Sequence, residues 1–172
     1  MIHYKTAEDI QIIKEGAQIL GKAHGEVARA IKPGVKTEKL NKIAEEFIRD
    51  SGGSPSFKNY HGFPAALCIS VNETVVHGFP GDYELKETDV ISIDCGVLFK
   101  GFHSDSAYTY PLPGVNAEVL KLLNRTYESL FLGISQAKAG NRIGDIGFAV
   151  QSYVETFGYG VVRELEIGRA HV

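Results

Sequence analysis

The chain has 172 residues, of which 44% are hydrophobic and 23% are charged, and its formal net charge is −3. This length suits one domain with a real core, and the charge gives no basic field for nucleic acid or an anionic membrane. Two cysteines are too few for a disulfide framework, and no apolar run is of membrane-spanning or signal-peptide type. We therefore expect a soluble cytoplasmic protein that binds neither nucleic acid nor membranes.

Two helices are predicted in the first third of the chain. Thr6 and Asp9 form a capping-box pattern, and apolar residues then recur every three or four positions until Pro33. Thr37 resembles the cap of a second helix with an apolar face, which the Ser-Gly-Gly run at 51–53 ends.

The middle of the chain predicts strands. Short β-like runs at Ala66–Val71 and Thr74–Val76 come before the stronger run Asp89–Phe99, which is rich in β-branched residues. A turn-like Lys-Gly pair follows, and the returning run 102–110 completes a predicted β-hairpin.

The last third predicts a long helix from Val119 to about Gly140 and another from Asn141 to Gly158. A strand is expected to begin in Gly160–Leu165. Helices in separate blocks around a hairpin indicate an α+β fold.

The hairpin allows a geometric prediction about two acidic residues. If Lys100 and Gly101 form a two-residue loop, Gly96 lies opposite Asp105, and Asp94 and Asp105 project from the same face of the sheet. Their Cα atoms are then diagonal neighbours roughly 7 Å apart, and Gly96 is expected to leave room between them.

Two like charges this close require a proton or a cation, and a divalent metal is the natural partner. Three other interpretations are open on geometry alone. Either carboxylate could bond a backbone amide, the pair could lie on a solvated face, or the pair could flank a general base without metal.

Two segments between Asn59 and Tyr110, NYHGFPAALCISVNETVVHGFPG and ISIDCGVLFKGFHSDSAYTY, resemble the type I methionine aminopeptidases. GNRIGDIG and YVETFGYGVVREL extend the resemblance to Leu165. The resemblance implies a partial pita-bread (creatinase/aminopeptidase-like) fold, with a curved antiparallel sheet flanked by helices.

The resemblance also implies a catalytic site. Asp94 and Asp105 match metal ligands of a centre with two divalent ions, which could be cobalt, manganese, iron or zinc. His77 matches a catalytic histidine that contacts the substrate as charge develops. The remaining matched positions line the pocket for the methionine side chain: Tyr60, His61, Phe63 and Cys68.

The implied activity is metal-dependent removal of the initiator methionine, and the implied substrates are N-terminal methionyl peptides of nascent proteins. Association with the ribosome is a further expectation. The alternatives are a non-catalytic pita-bread module that binds peptides or proteins, and a related proline dipeptidase. Retention of Asp94, Asp105 and His77 together disfavours a pure binding module, because a binder needs no like-charge pair.

The resemblance stops after Leu165. The family continues into a glycine-rich segment with a metal-binding histidine, whereas this chain reads EIGRAHV, and the surroundings of His171 do not match. Translated, the common sequencing adapter ATC GGA AGA GCA CAC GTC reads IGRAHV, which is identical to Ile167–Val172. We therefore expect residues 1–165 to be the N-terminal part of a single aminopeptidase domain and residues 166–172 to be a non-native tail. Because the remaining His and Glu ligands are then missing, the chain as given is expected to be inactive.

Resequencing the locus from intact genomic DNA tests the tail. We expect codons after Leu165 that differ from the adapter and that continue into a segment with one further histidine and two glutamate ligands. Recovery of codons for IGRAHV and a stop from intact genomic DNA contradicts this expectation.

Overall fold

A computed structural model describes residues 4–162 of the chain. They fall into two compact units, one within residues 4–115 and one within residues 116–162. Each unit has its own secondary structure, which follows here in chain order. None of the helices within residues 4–162 combines the length and the apolar composition of a membrane span.

The first unit begins with two helices, α1 (Ala7–Ala30) and α2 (Thr37–Asp50). The predicted capping box of α1 is confirmed, because the Asp9 N–H donates to the Thr6 hydroxyl (3.1 Å) and the Thr6 N–H donates to the Asp9 carboxylate (2.8 Å). The predicted cap of α2 is wrong. Thr37 is the first helical residue, and its hydroxyl instead donates to the carbonyl of Gly81 and accepts from the N–H of Gly81.

The first unit also holds a four-stranded antiparallel sheet: β1 (Ser54–Pro55), β2 (Leu67–Val71), β3 (Val90–Phe99) and β4 (Phe102–Pro111). Strand β3 is central, with β4 along one edge and β2 and β1 in succession along the other. The strand predicted at Thr74–Val76 is wrong, because the chain turns out of β2 at Asn72 (φ 53°) and leaves these residues exposed in a loop.

The predicted hairpin between β3 and β4 is confirmed with the expected register. Phe99 pairs with Phe102, and Gly96 pairs with Asp105. Lys100 and Gly101 both have positive φ, 47° and 85°, which is typical of the tight turn that matches the twist of two antiparallel strands.

The core of the first unit lies between the helices and one face of the sheet. Alternate residues of β3 are fully buried on that face, including Ile91, Ile93 and Val97, and they belong to the same cluster as Leu40 and Ile48 of α2. The remaining alternate residues of β3 therefore project from the opposite face.

Buried Asn41 of α2 joins the helix to the start of β2. Its side-chain oxygen accepts hydrogen bonds from the N–H groups of Ala66 (2.9 Å) and Leu67 (3.1 Å). Both backbone donors are fully buried, so Asn41 supplies acceptors that water cannot reach.

The second unit is a pair of helices, α3 (Ala117–Gln136) and α4 (Ile143–Glu155). A Cβ atom at Gly133 would lie 3.0 Å from a methyl group of Val150, so the helices are close there. Residues 160–162 of the predicted final strand have no regular structure, and its remainder lies outside the described residues. Several large apolar side chains of α3 and α4 are exposed, including Leu130, Phe131, Ile134 and Phe148.

Replacing Asn41 by Ala is expected to lower the free energy of unfolding by about 1–3 kcal/mol, because two buried N–H groups lose their acceptor. Urea denaturation of the wild type and of Asn41→Ala measures the difference. Gln11→Ala on the exposed side of α1 is the control and is expected to stay within about 0.5 kcal/mol. Equal stability of Asn41→Ala and the control contradicts the assigned role.

Candidate metal centre

The two acidic residues of the hairpin lie on the sheet face opposite the one that packs against α1 and α2. Asp94 pairs with Ala107, and Gly96 pairs with Asp105, so Asp94 and Asp105 are diagonal neighbours on one face. Asp94 is half-buried and Asp105 is exposed. The predicted arrangement of this pair is therefore confirmed.

The electrostatics show that the two carboxyl groups are close. Burial raises the pKa of Asp94 to about 7, and the negative charge of Asp105 and a hydrogen bond with its carboxyl group act in the same direction. A hydrogen bond with the Cys95 backbone acts against this shift. Near neutral pH the pair therefore holds a proton that a cation could replace.

Gly96 does not leave an empty space between the two acids, in contrast to the prediction. A Cβ atom at this position would lie 2.8 Å from the Phe57 ring and 2.8 Å from Cβ of Ser56. The Ser56 N–H donates to the Gly96 carbonyl (2.9 Å), and the Ser56 hydroxyl is 2.9 Å from Nδ1 of His103. Ser56 and Phe57 therefore form a wall beside the pair, and glycine is needed so that this wall can approach.

Cys68 lies on the same face as the acids. It pairs with Asp94 across β2 and β3, so its side chain projects beside that of Asp94. Burial raises the pKa of the Cys68 thiol to about 12, and the charges of Asp94 and Asp105 contribute. The thiol is therefore protonated at neutral pH and serves as an apolar surface.

His77 lies in the loop between β2 and β3, and its backbone has a φ of 57°. Its side chain is exposed. The next residue, Gly78, accepts a hydrogen bond from the Ile69 N–H (2.8 Å) and donates to the Ser70 hydroxyl (3.2 Å). A Cβ atom at Gly78 would lie 2.1 Å from the Ile69 carbonyl oxygen, so only glycine allows this contact with β2.

The predicted pocket residues divide into two groups. Tyr60 and His61 occupy an exposed 3-10 turn with their rings in edge-on contact. Phe63 stacks on Phe79 of the His77 loop, with ring centroids 5.2 Å apart, and meets Phe57 edge-on. The contact between Phe63 and Phe79 thus brings one predicted pocket residue to the loop that carries His77.

A histidine of α1 contacts the backbone of β4. Nε2 of His24 is 3.0 Å from the carbonyl oxygen of Ser106, the neighbour of Asp105. Burial lowers the pKa of His24, although the Ser106 carbonyl and the charge of Asp105 act against this shift. A neutral His24 therefore supports the backbone beside Asp105.

The donor set on this face fits a divalent cation. Two carboxylate groups within hydrogen-bonding reach of one another can share a cation that removes their repulsion. Between residues 4 and 162, no group of three or more His, Cys, Asp or Glu side chains is arranged to hold a metal ion. The described residues therefore bring together two carboxyl groups, without a third side chain of these types arranged beside them.

Sequence reasoning missed several residues of this region. Phe79 lies in a segment that carries the resemblance and Phe57 lies just before it, but periodicity gives no sign that their rings meet Phe63. Asp89 was assigned to the strand as its first residue, yet it is a buried acid with three hydrogen-bond donors. An aspartate directly before an apolar strand is the one signal that could have drawn attention to it.

An open antiparallel sheet combined with helices is the fold of the pita-bread proteins. The prolidase from Pyrococcus furiosus shares it, with a TM-score of 0.82 and 22% identity over 91% of this chain and 45% of that one. The chain belongs to metallopeptidase family M24, which it matches over residues 11–169. Members of that family use divalent metal ions.

Curated relatives of this chain carry the name methionine aminopeptidase. The methionine aminopeptidase of Clostridium perfringens is 48% identical over 95% of this chain, and methionine aminopeptidase 1 of Bacillus subtilis is 46% identical over the same share. The crystal structure of methionine aminopeptidase from Rickettsia prowazekii has a TM-score of 0.93 at 34% identity. The chain spans 66% of the length of each of these three proteins.

Metal-free protein is expected to lose stability as pH rises through the pKa of Asp94. Since folding raises that pKa from 3.8 to about 7, the stabilising contribution of the protonated pair is complete below about pH 4 and disappears by about pH 7. Denaturant unfolding in a chelator, for wild type and Asp94→Asn, measures the difference. The lowered pKa of His24 favours the folded state at the higher pH. This contribution is present in both proteins and therefore cancels in the comparison.

The stability of wild type relative to Asp94→Asn should therefore fall between pH 4 and pH 7. Asp82→Asn, which removes an exposed acid paired with Lys36, is the control and should leave the pH dependence of this window unchanged. A relative stability that is flat across the window contradicts the proximity of the two carboxyl groups.

Proposed function

We propose that this chain carries the substrate-binding and part of the metal-binding machinery of a methionine aminopeptidase, which removes N-terminal methionine from peptides of nascent proteins in the cytoplasm. The observation that carries the proposal is the close pair Asp94 and Asp105 on the free face of the sheet. Relatives with that name at 46–48% identity support the choice of substrate.

Asp94 and Asp105 are the proposed ligands of two divalent ions, which could be cobalt, manganese, iron or zinc. Bound there, the ions would supply a water nucleophile near neutral pH and polarise the scissile carbonyl. Because the pKa of Asp94 is raised, this carboxyl group releases its proton when a cation binds in the place of that proton.

His77 is the proposed catalytic residue, because an imidazole N–H can donate to the substrate as negative charge develops. The loop that carries His77 is attached to β2 through Gly78, the residue that follows His77 in the sequence. Four further residues are proposed to contact the methionine side chain: Tyr60, His61, Phe63 and Cys68. The protonated thiol of Cys68 and the ring of Phe63 give the apolar surface that an unbranched thioether requires.

Two other functions remain as test outcomes. A proline dipeptidase shares the fold, but the structural relatives of that kind are 21–26% identical. A non-catalytic peptide-binding module would not need two carboxyl groups that repel each other. Association with the ribosome is proposed from the nature of the substrate, since nascent chains emerge there.

Titration of the 172-residue chain with Mn²⁺ by calorimetry is expected to show weak binding that Asp94→Asn or Asp105→Asn lowers at least about tenfold, since even indirect ligand contacts are worth about 10–100-fold. Asp82→Asn is the matched control, because it removes one negative charge at an exposed position. Unchanged affinity in both ligand variants would contradict the proposed site.

Peptidase assays separate the candidate functions. The product of the intact gene, supplied with metal, is expected to hydrolyse Met-Ala peptides and to leave X-Pro dipeptides intact. The 172-residue chain is expected to show no turnover, because two carboxylates leave most coordination positions to water. Cleavage of X-Pro peptides favours the dipeptidase, and peptide binding without hydrolysis favours the binding module.

A further inference from the structure

The loop of residues 72–88, which carries His77, has no regular secondary structure and yet is fixed at both ends. At its base, the Asn72 N–H donates to the Val90 carbonyl and the Val90 N–H donates to the Asn72 side-chain oxygen, each at 2.9 Å. These bonds close the loop at the point where β2 ends and β3 begins.

The carboxylate of Asp89 lies at the centre of this closure and is 2% exposed. Its Oδ1 accepts from the side-chain amide of Asn72 (2.9 Å). Its Oδ2 accepts from the Tyr83 hydroxyl (2.9 Å) and from the Lys86 N–H (2.8 Å). One buried carboxylate therefore joins the outgoing arm of the loop to two points of its returning arm.

The carboxylate is ionised at neutral pH. Burial alone would raise the pKa of Asp89, but the hydrogen bonds from Lys86, Asn72 and Tyr83 hold it below the ordinary value. Hydrogen bonds to a charged acceptor are stronger than neutral ones, so these three contacts are well suited to hold a loop.

Two residues on the outgoing arm have positive φ, Asn72 at 53° and His77 at 57°. Such conformations are sparsely populated by residues other than glycine and persist where the surroundings determine them. The contact of Gly78 with β2 fixes one side of His77. The hydrogen bonds of the Asp89 carboxylate fix the base of the loop, from which the chain runs to that contact.

We infer that Asp89 is a positioning residue for His77: through Asn72, Tyr83 and Lys86 it holds the 72–88 loop against β2. Its importance for catalysis rests on the proposed function, in which His77 contacts the substrate. The loop attachment itself concerns this chain alone and can be tested on it without metal or substrate.

Amide hydrogen exchange and histidine ring resonances, both measured by NMR on the 172-residue chain, test the inference. Asp89→Asn places an amide N–H₂ group against one of the hydrogen-bond donors that the carboxylate accepts from. Tyr83→Phe removes only the hydrogen bond from the Tyr83 hydroxyl, and Tyr83 is 40% exposed. We expect exchange at the Ile69 and Gly78 amides to accelerate at least about tenfold in Asp89→Asn, and less in Tyr83→Phe. The His77 ring resonances should shift toward their unfolded positions in both variants.

Amides of the β3–β4 hairpin should keep their wild-type exchange rates in Tyr83→Phe. Glu87→Gln is the matched control, since it neutralises an exposed acid two residues from Asp89 and should change neither readout. If Asp89→Asn loses protection throughout the hairpin, Tyr83→Phe decides the question. The inference is overturned if Tyr83→Phe leaves exchange at the Ile69 and Gly78 amides at the wild-type rate. It is also overturned if Tyr83→Phe accelerates exchange of the loop amides and of the hairpin amides equally.

The role of Asp89 and the proposed function can be contradicted independently of one another. Tyr83→Phe should retain the Mn²⁺ affinity of the wild type, because Tyr83 donates to Asp89 and not to the carboxylate pair. A wild type that binds no metal contradicts the proposed function and leaves the exchange result standing. Unchanged exchange with normal metal binding contradicts only the role of Asp89.

Discussion

The repulsion between Asp94 and Asp105 is the constraint on which the free face of the sheet depends. Two carboxyl groups are held together by a hairpin register that the tight turn at Lys100 and Gly101 fixes. A shift of one residue would turn one acid toward the helices, where Ile93 and Val97 are fully buried. Burial of the apolar face therefore keeps the acids in a position that is unfavourable without a proton or a cation.

The rest of the site is built around this pair by close contacts at two glycines. Glycine at position 96 lets Ser56 and Phe57 approach the sheet beside the acids, and glycine at position 78 lets the His77 loop meet β2. At position 96 the Phe57 ring and Cβ of Ser56 lie where a side chain would otherwise stand, and at position 78 the backbone of Ile69 does. Substituting either glycine would move a neighbouring segment of the site as well as the glycine itself.

The sequence predicts those parts of the structure that local rules determine. The hairpin, its register and the capping box at Thr6 follow from turn chemistry and spacing, and they are confirmed. The errors arise where tertiary contacts use the same side chains differently. Thr37 bonds Gly81 and does not cap its helix, and the apolar Thr74–Val76 run leaves the sheet because Asn72 turns the chain. Asn41 and Asp89 were missed because their partners are distant or lie in a loop without periodicity.

The contact between Gly78 and β2 also affects how the molecule meets other copies of itself. Within residues 4–162, strand β2 pairs with β3 on one side, and its other side has backbone groups that could pair with a strand of a second molecule. The His77 loop occupies that side at Ile69, where Gly78 takes the hydrogen bond of an incoming strand. Intermolecular β-pairing at this position of the edge therefore requires the His77 loop to detach first. The same loop thus also opposes association of the sheet with strands of other molecules.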